Sequence, residues 1–246
     1  MSEKLQQELD QLAKKYSHVP LKGGWEIPRK LFHYSIGFVV LYLYMNGTET
    51  QDVYPILILF LCIVGSAELL RFNFEWFNQL YCYLLGPLMR PTEIKNRING
   101  VVYYLLGKVI TVALTVHMLY YFPKDIASLS IIYLSWTDPT ASICGKLWGK
   151  YTPQYGGKSL AGSLGAMITG ALVTLMYFGP LARYPLSYTP ATSEIPLIAM
   201  ALYGGLVAAF SEGVSNLLFG LDDNLTIPVI SAILLWIPLV GYGLGN

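Results

Sequence analysis

Runs of apolar residues recur along most of the chain and are separated by short polar segments. A helix that crosses a bilayer needs about 20 mainly apolar residues. By this measure seven segments are predicted to be transmembrane helices: 31–46, 53–70, 100–120, 126–144, 159–179, 195–218 and 225–243. The shorter stretch 76–90 is rich in Trp and Tyr, which favours an interfacial or re-entrant helix. The pattern predicts an all-α polytopic membrane protein with about seven transmembrane helices and one such additional helix.

The first 28 residues are polar and contain no apolar core of a signal peptide. Leu5, Leu9 and Leu12 recur at helical spacing among lysines, which is consistent with an amphipathic helix on the membrane surface. A solvated tail fits the same residues equally well. We expect 1–28 to be a cytosolic N-terminal segment and 29–246 to be a single transmembrane domain.

Composition supports a membrane protein, because 54% of the residues are hydrophobic and only 13% are charged. Soluble domains carry about 25% charged residues. The net charge of +1 gives no reason to expect a nucleic acid as partner. The three cysteines lie in apolar segments without metal-binding spacing, so we expect small core residues there.

Lys and Arg are concentrated in the N-terminal segment and in loops 71–99 and 145–158, whereas loop 47–52 has none. Since these residues are retained on the cytosolic side, seven spans with a cytosolic N terminus are predicted. The acidic loop 219–224 does not follow the pattern. On this topology the ionisable residues in or beside the spans fall on the cytosolic side: Arg29, Lys30, His33, Glu68, Lys108, Asp138, Glu212, Asp222 and Asp223. Charges near a bilayer interior usually line a polar site.

Asp138 lies inside a predicted span and is followed by Pro139, which removes a hydrogen bond from the helix. Ser135 and Ser142 would share its helix face. Downstream, Gly145 and Gly149 would let a backbone or a ligand approach closely, with Lys146 and Lys150 beside them. Glycines four apart also fit a helix-packing face. Packing alone would not require a carboxylate.

A second motif, Gly156-Gly157-Lys158-Ser159, precedes the next span, at whose start Gly162 and Ser163 follow. A glycine turn, a lysine and a helix N terminus can together bind a phosphate. A P-loop is excluded because Thr152 stands where that pattern requires glycine. The alternative is a snorkelling lysine at the end of a span.

Two weaker motifs complete the set. In the segment 27–33 (IPRKLFH), Arg29 and Lys30 are typical anchors at a span end, and His33 could order a phosphate or satisfy a local carbonyl. Glu212, Asp222 and Asp223, with Asn224, suit a hard cation such as Mg²⁺ or Ca²⁺. For Asp222 and Asp223 a solvated acidic turn is the alternative.

Taken in order, these motifs resemble the polyprenol kinase superfamily, which includes dolichol kinase, phytol kinase and the fungal CTP-dependent diacylglycerol kinases. The resemblance is greatest to the last group. It covers 27–229 and rests on segments that include 27–33 (IPRKLFH), 134–138 (LSWTD), 158–163 (KSLAGS) and 222–229 (DDNLTIPV). Pro139 departs from the small residues usual at that position.

The resemblance implies a catalytic transmembrane domain that transfers the γ-phosphate of CTP to diacylglycerol, forming phosphatidate and CDP. It implies a divalent cation, Mg²⁺ or Ca²⁺, and a site on the cytosolic face of the endoplasmic reticulum membrane or nuclear envelope. The expected partners are diacylglycerol, CTP and the lipid bilayer, and no nucleic acid.

The residue roles expected with this chemistry fall into three sets. The catalytic set is Asp138, Lys158, Arg29 and Lys30. The nucleotide-binding set is Gly145, Lys146, Gly149, Lys150, Ser159, Gly162, Ser163 and His33. The cation ligands are Asp138, Asp222, Asp223 and Glu212. For Asp138, binding the cation and accepting the hydroxyl proton are both open.

Three alternatives remain. The first is a kinase for dolichol or phytol, and the second is a phosphatidate cytidylyltransferase, which would release pyrophosphate. The third is a transporter, which is disfavoured because the charges cluster on one face and no internal repeat is visible.

Overall fold

The computed structural model describes residues 24–89, 120–181, 187–215 and 223–246. This part of the chain contains seven α-helices: α1 Ile27–Met45, α2 Thr50–Asn73, α3 Glu75–Leu85, α4 Lys124–Trp148, α5 Leu160–Phe178, α6 Leu197–Ser215 and α7 Asp223–Trp236. Short helical turns follow at Gly86–Leu88, Gly149–Tyr151 and Ile237–Gly241. The predicted helical architecture is confirmed. A two-stranded antiparallel hairpin, β1 Gln154–Tyr155 and β2 Lys158–Ser159, is an addition that the sequence did not predict.

Four helices in the described part are long and apolar enough to cross a membrane: Gln51–Asn73, Leu160–Phe178, Leu197–Val214 and Asp223–Gly241. Membrane association is thereby confirmed, but the predicted count of seven spans is not. Polar residues keep α1 and α4 out of this set, namely Arg29 and Lys30 in α1 and the Ser, Thr and Asp side chains of α4. The predicted span 100–120 lies outside the described residues.

Helix α3 has 11 residues, which makes it roughly 16 Å long and too short to cross a bilayer. The prediction of a non-spanning helix at 76–90 therefore agrees with the structure in length, while its interfacial or re-entrant placement stays a prediction. The predicted amphipathic segment at 1–16 lies outside the described residues.

The chain forms two compact units. In the described residues, unit 1 comprises 24–32 and 58–89, and unit 2 comprises 33–57 together with everything from 120 onwards. Unit 1 contains an acid at the end of α2 whose charge is compensated locally. Glu68 accepts a hydrogen bond from Tyr81 Oη at 2.6 Å and pairs with Arg71 at 2.8 Å.

In unit 2, α4 is the central helix and packs against α5, α6 and α7. Its buried residues run around most of its circumference between Asp125 and Ala141. Hydroxyl groups along it bond to carbonyls one turn back, as Thr137 does to Tyr133 at 2.7 Å. A helix buried on most sides faces protein rather than lipid. This explains how so polar a helix is compatible with a membrane environment.

Close contact between α5 and α6 depends on glycine. A methyl group at Gly170 would lie 2.5 Å from Ala208 Cβ, and one at Gly205 would lie 2.6 Å from the Met167 carbonyl oxygen. Small residues commonly allow such approach between membrane helices. These two helices therefore form a tight pair beside α4.

The part of α1 in unit 2 docks on α4 through polar contacts. Trp136 Nε1 donates to the Tyr34 carbonyl at 3.0 Å, and the Tyr34 hydroxyl bonds to Thr140 Oγ1 at 2.7 Å. Gly37 faces the Trp136 indole, where a side chain would collide.

The two ends of unit 2 differ in character. At the end where α4 begins, Asp125 accepts hydrogen bonds from the Ser187 N–H at 2.6 Å and the Ser187 hydroxyl at 2.9 Å. The Thr189 N–H there donates to the Gly245 carbonyl at 2.9 Å, so the chain terminus lies at the same end. The hairpin after α4 therefore lies at the opposite end.

Candidate functional site

One lysine and several acids meet at the hairpin end of unit 2. Lys158, on β2, places its ammonium 2.7 Å from Glu212 Oε1 on α6 and 3.9 Å from Asp223 Oδ2 on α7. Three elements far apart in sequence thus contribute to one charged cluster. Glu212 is buried, with its side chain 5% exposed, while that of Lys158 is 19% exposed.

The surroundings of Lys158 keep it charged. Burial lowers the pKa of its ammonium, but the surrounding carboxylates, with Glu212 foremost by charge and by hydrogen bond, together outweigh this, so the pKa is raised above its usual value. The Asp223 and Asp138 carboxylates add contributions in the same direction. Asp138 is therefore close enough to act on Lys158 electrostatically, and it joins the cluster from α4.

Asp138 lies where α4 passes from the core to the exterior. Ser135, one turn earlier, is buried, Asp138 is half-buried and Ser142 is exposed. Pro139 lacks the N–H that would bond to the Ser135 carbonyl. The helix nevertheless continues to Trp148, so the predicted interruption is local. Asp138 is therefore partly accessible from the surface.

The N terminus of α5 does not match the predicted phosphate site. Its first three N–H groups bond within the protein: Leu160 to the Pro153 carbonyl at 3.0 Å, Ala161 to Thr152 Oγ1 at 3.2 Å, and Gly162 to Ser159 Oγ at 3.2 Å. Ser159 is thus a helix N-cap. Backbone N–H groups satisfied in this way are not available to an anion, and phosphate binding by the Lys158 side chain stays a prediction.

Gly145 and Gly149 serve as packing positions around Ser159. A methyl group at Gly145 would lie 3.2 Å from Ser159 Oγ, and one at Gly149 would lie 2.9 Å from it. A methyl group at Gly162 would lie 3.0 Å from the Ala141 carbonyl oxygen. The helix-packing alternative considered for these glycines accounts for their contacts, and direct nucleotide contact by them stays a prediction.

The remaining basic groups near the hairpin are exposed. Lys146 and Lys150 lie at the end of α4 and just beyond it, and Lys150 Nζ lies 4.6 Å from the centroid of the Tyr151 ring. Gly156 and Gly157 form the hairpin turn with φ of 57° and 82°. Ser163 is half-buried in the first turn of α5. Contact between CTP and the side chains of Lys146, Lys150 and Ser163 stays a prediction.

The residues of the 27–33 motif divide between the two units. In unit 1, Arg29 is half-buried and Lys30 is buried, with its ammonium donating to the Trp25 carbonyl at 2.7 Å. His33 is the first residue of unit 2 and is half-buried. Arg29, Lys30 and His33 keep their predicted roles as hypotheses.

The described residues include three of the four predicted cation ligands, Asp138, Glu212 and Asp223. Among the described residues no three His, Cys, Asp or Glu side chains are grouped closely enough to hold a metal ion. Glu212, assigned to the cation from sequence, pairs with Lys158 instead. Asp222 lies outside the described residues. Cation binding by the four predicted ligands stays a prediction.

Three features of the site were not predicted from the sequence. The pairing of Lys158 with Glu212 joins residues 54 positions apart, and no local pattern reports it. The N-cap role of Ser159 did have a signal, because a serine directly before an apolar run is typical of a helix start. The capping by Thr152 had no sequence signal, because its hydroxyl accepts from the N–H of Ala161, nine residues further along the chain.

Comparison with known proteins gives close relatives. The chain is 42% identical over 213 residues to CTP-dependent diacylglycerol kinase 1 of Schizosaccharomyces pombe, covering 86% of this chain and 93% of that protein. It is 40% identical to CTP-dependent diacylglycerol kinase 1 of Saccharomyces cerevisiae, and this match covers 85% of this chain and 71% of that protein. Phytol kinase of Synechocystis is more distant, at 32% over 45% of this chain.

No family model matches the sequence, and no solved structure matches it. The kinship therefore rests on the two yeast relatives, whose matches extend over most of this chain and most of each relative. Identity at this level over such a length establishes common descent, and the chain belongs to the family of CTP-dependent diacylglycerol kinases.

Proposed function

We propose that this protein is a membrane lipid kinase that transfers the γ-phosphate of CTP to diacylglycerol. Its relatives carry that activity in their names. The observation that carries the proposal is the cluster of Lys158, Glu212, Asp223 and Asp138 at one end of unit 2. A buried carboxylate and a charged lysine at the end of a membrane-embedded bundle suit a site where a lipid hydroxyl meets a nucleotide.

The reaction asks these residues mainly to position groups and offset charge. The diacylglycerol hydroxyl oxygen forms a bond to the γ-phosphorus, the bond from that phosphorus to the bridging oxygen breaks, and CDP leaves. The Lys158 ammonium attracts the phosphate oxygens. Asp138 either accepts the proton of the hydroxyl or binds the cation that accompanies CTP, in which case the proton passes to an oxygen of the transferred phosphate.

In this proposal the divalent cation reaches the site bound to CTP. The cluster carries one positive and three negative side chains, an acidic excess that favours a cation. Mg²⁺ is usually bound by one or two carboxylates together with substrate phosphates, and a complete protein cage is uncommon. The absence of a three-ligand group among the described residues is compatible with a cation that arrives bound to CTP.

The proposed site faces the cytosol, in the endoplasmic reticulum membrane or nuclear envelope. Support comes from the lysines at the hairpin end, Lys146, Lys150 and Lys158, since Lys and Arg are retained on the cytosolic side of membrane helices. CTP is supplied from the same side.

The test is a transfer assay with purified protein, CTP labelled at the γ-phosphate and diacylglycerol in mixed micelles. Label should appear in phosphatidate. Asp138→Asn should lower kcat by about 10²–10⁴-fold, the range typical of a lost general base, while the protein still accumulates. Asp52→Asn, an exposed acid at the start of α2, is the matched control and should leave the rate unchanged. Full activity of Asp138→Asn would exclude both roles of Asp138.

A second substrate is favoured by the similarity to phytol kinase, which spans 45% of the chain. The same assay with phytol or dolichol in place of diacylglycerol would detect it. Faster labelling of either alcohol would reassign the acceptor without changing the reaction class, whereas release of pyrophosphate would indicate a cytidylyltransferase.

A further inference from the structure

Lys158 would be poorly held without its acidic partners. It follows the turn Gly156–Gly157, and a methyl group at Gly157 would have no atom within 4 Å. The tip of the hairpin is exposed, with Tyr155 among the most exposed large side chains of the described chain. Lys158 itself lies on β2 with its side chain 19% exposed, and a lysine side chain has several rotatable bonds. Something must restrict those positions for the ammonium to lie at a fixed place.

Glu212 provides that restriction. It is buried in the last turns of α6, and its Oε1 accepts a hydrogen bond from Lys158 Nζ at 2.7 Å. Helix α6 is in turn fixed by its close glycine contacts with α5. The acid therefore belongs to the rigid part of unit 2, whereas the lysine belongs to the hairpin. Asp223, at 3.9 Å, is a weaker second partner.

We propose that Glu212 is a positioning residue, which holds the Lys158 ammonium at the site where the CTP phosphates bind. This proposal rests on the proposed function. It replaces the role of cation ligand that the sequence analysis gave to Glu212. When CTP is bound, Lys158 contacts both the phosphate and Glu212, because an ammonium has three N–H donors. Glu212 acts on the reaction only through Lys158 and touches no reacting atom.

The first experiment compares Glu212→Gln with wild type in the labelled-CTP assay. Glutamine keeps the size and an acceptor oxygen but removes the charge. The KM for CTP should rise by roughly 10- to 100-fold, since a misplacement of about 1 Å can cost about 100-fold. The decrease in kcat should be smaller, and the Mg²⁺ concentration for half-maximal activity should stay unchanged. A raised Mg²⁺ requirement would overturn the proposal in favour of a cation ligand.

A matched control exists at the other end of unit 2. Glu49 pairs with Lys124 at the same distance, 2.7 Å, away from the site. Glu49→Gln removes an ion pair of the same length, formed by a carboxylate whose side chain is 65% exposed, and should leave the KM for CTP unchanged. A purely structural role for Glu212 would lower the amount of folded protein while leaving its KM unchanged, and that result would also overturn the proposal.

A double-mutant cycle tests whether Glu212 acts through Lys158. Binding of CTP, measured by calorimetry without turnover, should weaken in Lys158→Ala and in Glu212→Ala. The double variant should bind no more weakly than Lys158→Ala alone, because coupled residues are not additive. Additive losses would show that Glu212 acts independently.

The binding measurement also separates this proposal from the proposed function. If wild-type protein binds CTP but labels no lipid alcohol, the kinase assignment fails while the cycle still reports on Glu212. If labelling succeeds and the cycle is additive, the kinase assignment stands and the role of Glu212 fails.

Discussion

At the scale of single residues, the acid in the middle of an apolar run is explained by its surroundings. Asp138 lies on a helix that faces protein on most sides, and its charge acts on Lys158. An ionised group costs less in such a polar pocket than against lipid. Removing one member of a buried ion pair such as Lys158 and Glu212 costs stability, because the charge of the other member remains buried without compensation.

The contact between Gly149 and Ser159 gives a prediction at this scale. Gly149→Ala would place a methyl group 2.9 Å from Ser159 Oγ and 3.1 Å from Ser159 Cβ, so Ser159 must move, and we expect the adjacent Lys158 to move with it. We expect a loss of about 1–3 kcal/mol in the free energy of unfolding, as for other overpacked sites, and a raised KM for CTP. Thermal unfolding in detergent and the transfer assay measure the two effects.

Gly213→Ala is the control for this substitution. Gly213 lies in α6 and has no atom within 4 Å of an added methyl group. Alanine is favoured over glycine in helices by up to about 1 kcal/mol, so the stability should be unchanged or slightly increased. Equal changes in stability in Gly149→Ala and Gly213→Ala would contradict the explanation that the contact with Ser159 causes the loss.

The sequence identified the members of the charged cluster better than their partners. Asp138, Lys158, Glu212 and Asp223 stood out because each is ionisable and lies in or beside an apolar segment. Their grouping at one end follows from the order of the elements, because α4 and α6 end there and α7 begins there. Which acid pairs with Lys158 depends on where the hairpin lies over α6, and that is fixed by tertiary contacts that leave no local pattern.

At the scale of elements, the hairpin β1–β2 is the feature that sequence periodicity could not reveal, because its strands have two residues each. Its turn is specified by backbone conformation, since φ is 57° at Gly156 and 82° at Gly157. Both values lie in the left-handed region that favours glycine in two-residue hairpin turns. The Gly-Gly pair is therefore required for the turn, whether or not it also contacts a phosphate.

Gly157→Ala tests this requirement. The added methyl group would meet no atom within 4 Å, so the cost comes only from the backbone and is about 1–2 kcal/mol. The strained turn should displace Lys158 and raise the KM for CTP. Gly243→Ala imposes the same kind of strain, at φ 66°, near the other end of unit 2 and should leave the KM unchanged. Equal KM values in both variants would refute a link between the turn and the site.

The docking of α1 on α4 yields a further prediction. In Gly37→Ala the new methyl group would lie 2.7 Å from Trp136 Cδ1, so the indole must move and its hydrogen bond to the Tyr34 carbonyl would weaken. The expected loss in the free energy of unfolding is about 1–3 kcal/mol. Val39→Ala, which truncates an exposed side chain of the same helix, is the control and should change stability much less.

At the scale of the whole molecule, the two ends of unit 2 are built differently. Helices α4, α6 and α7 and the hairpin bring the charged cluster together at one end. At the other end, Asp125 and the chain terminus are joined to Ser187 and Thr189 by hydrogen bonds. The positive-inside rule applied to the sequence assigned the cluster end to the cytosol, although fewer spans than predicted are recognisable in the described residues. For this end the assignment rests on the lysines of the segment 145–158 themselves.

This polarity can be measured by cysteine labelling in sealed microsomes, whose outer surface is the cytosolic face. The parent protein has Cys62, Cys82 and Cys144 replaced by alanine and must retain activity. Tyr155→Cys at the exposed hairpin should react with a membrane-impermeant maleimide in intact vesicles. Ala191→Cys, exposed at the opposite end, should react only after detergent is added. The reverse pattern would place the cluster in the lumen, away from the supply of CTP, and would contradict the proposed cytosolic site even if the kinase activity itself were intact.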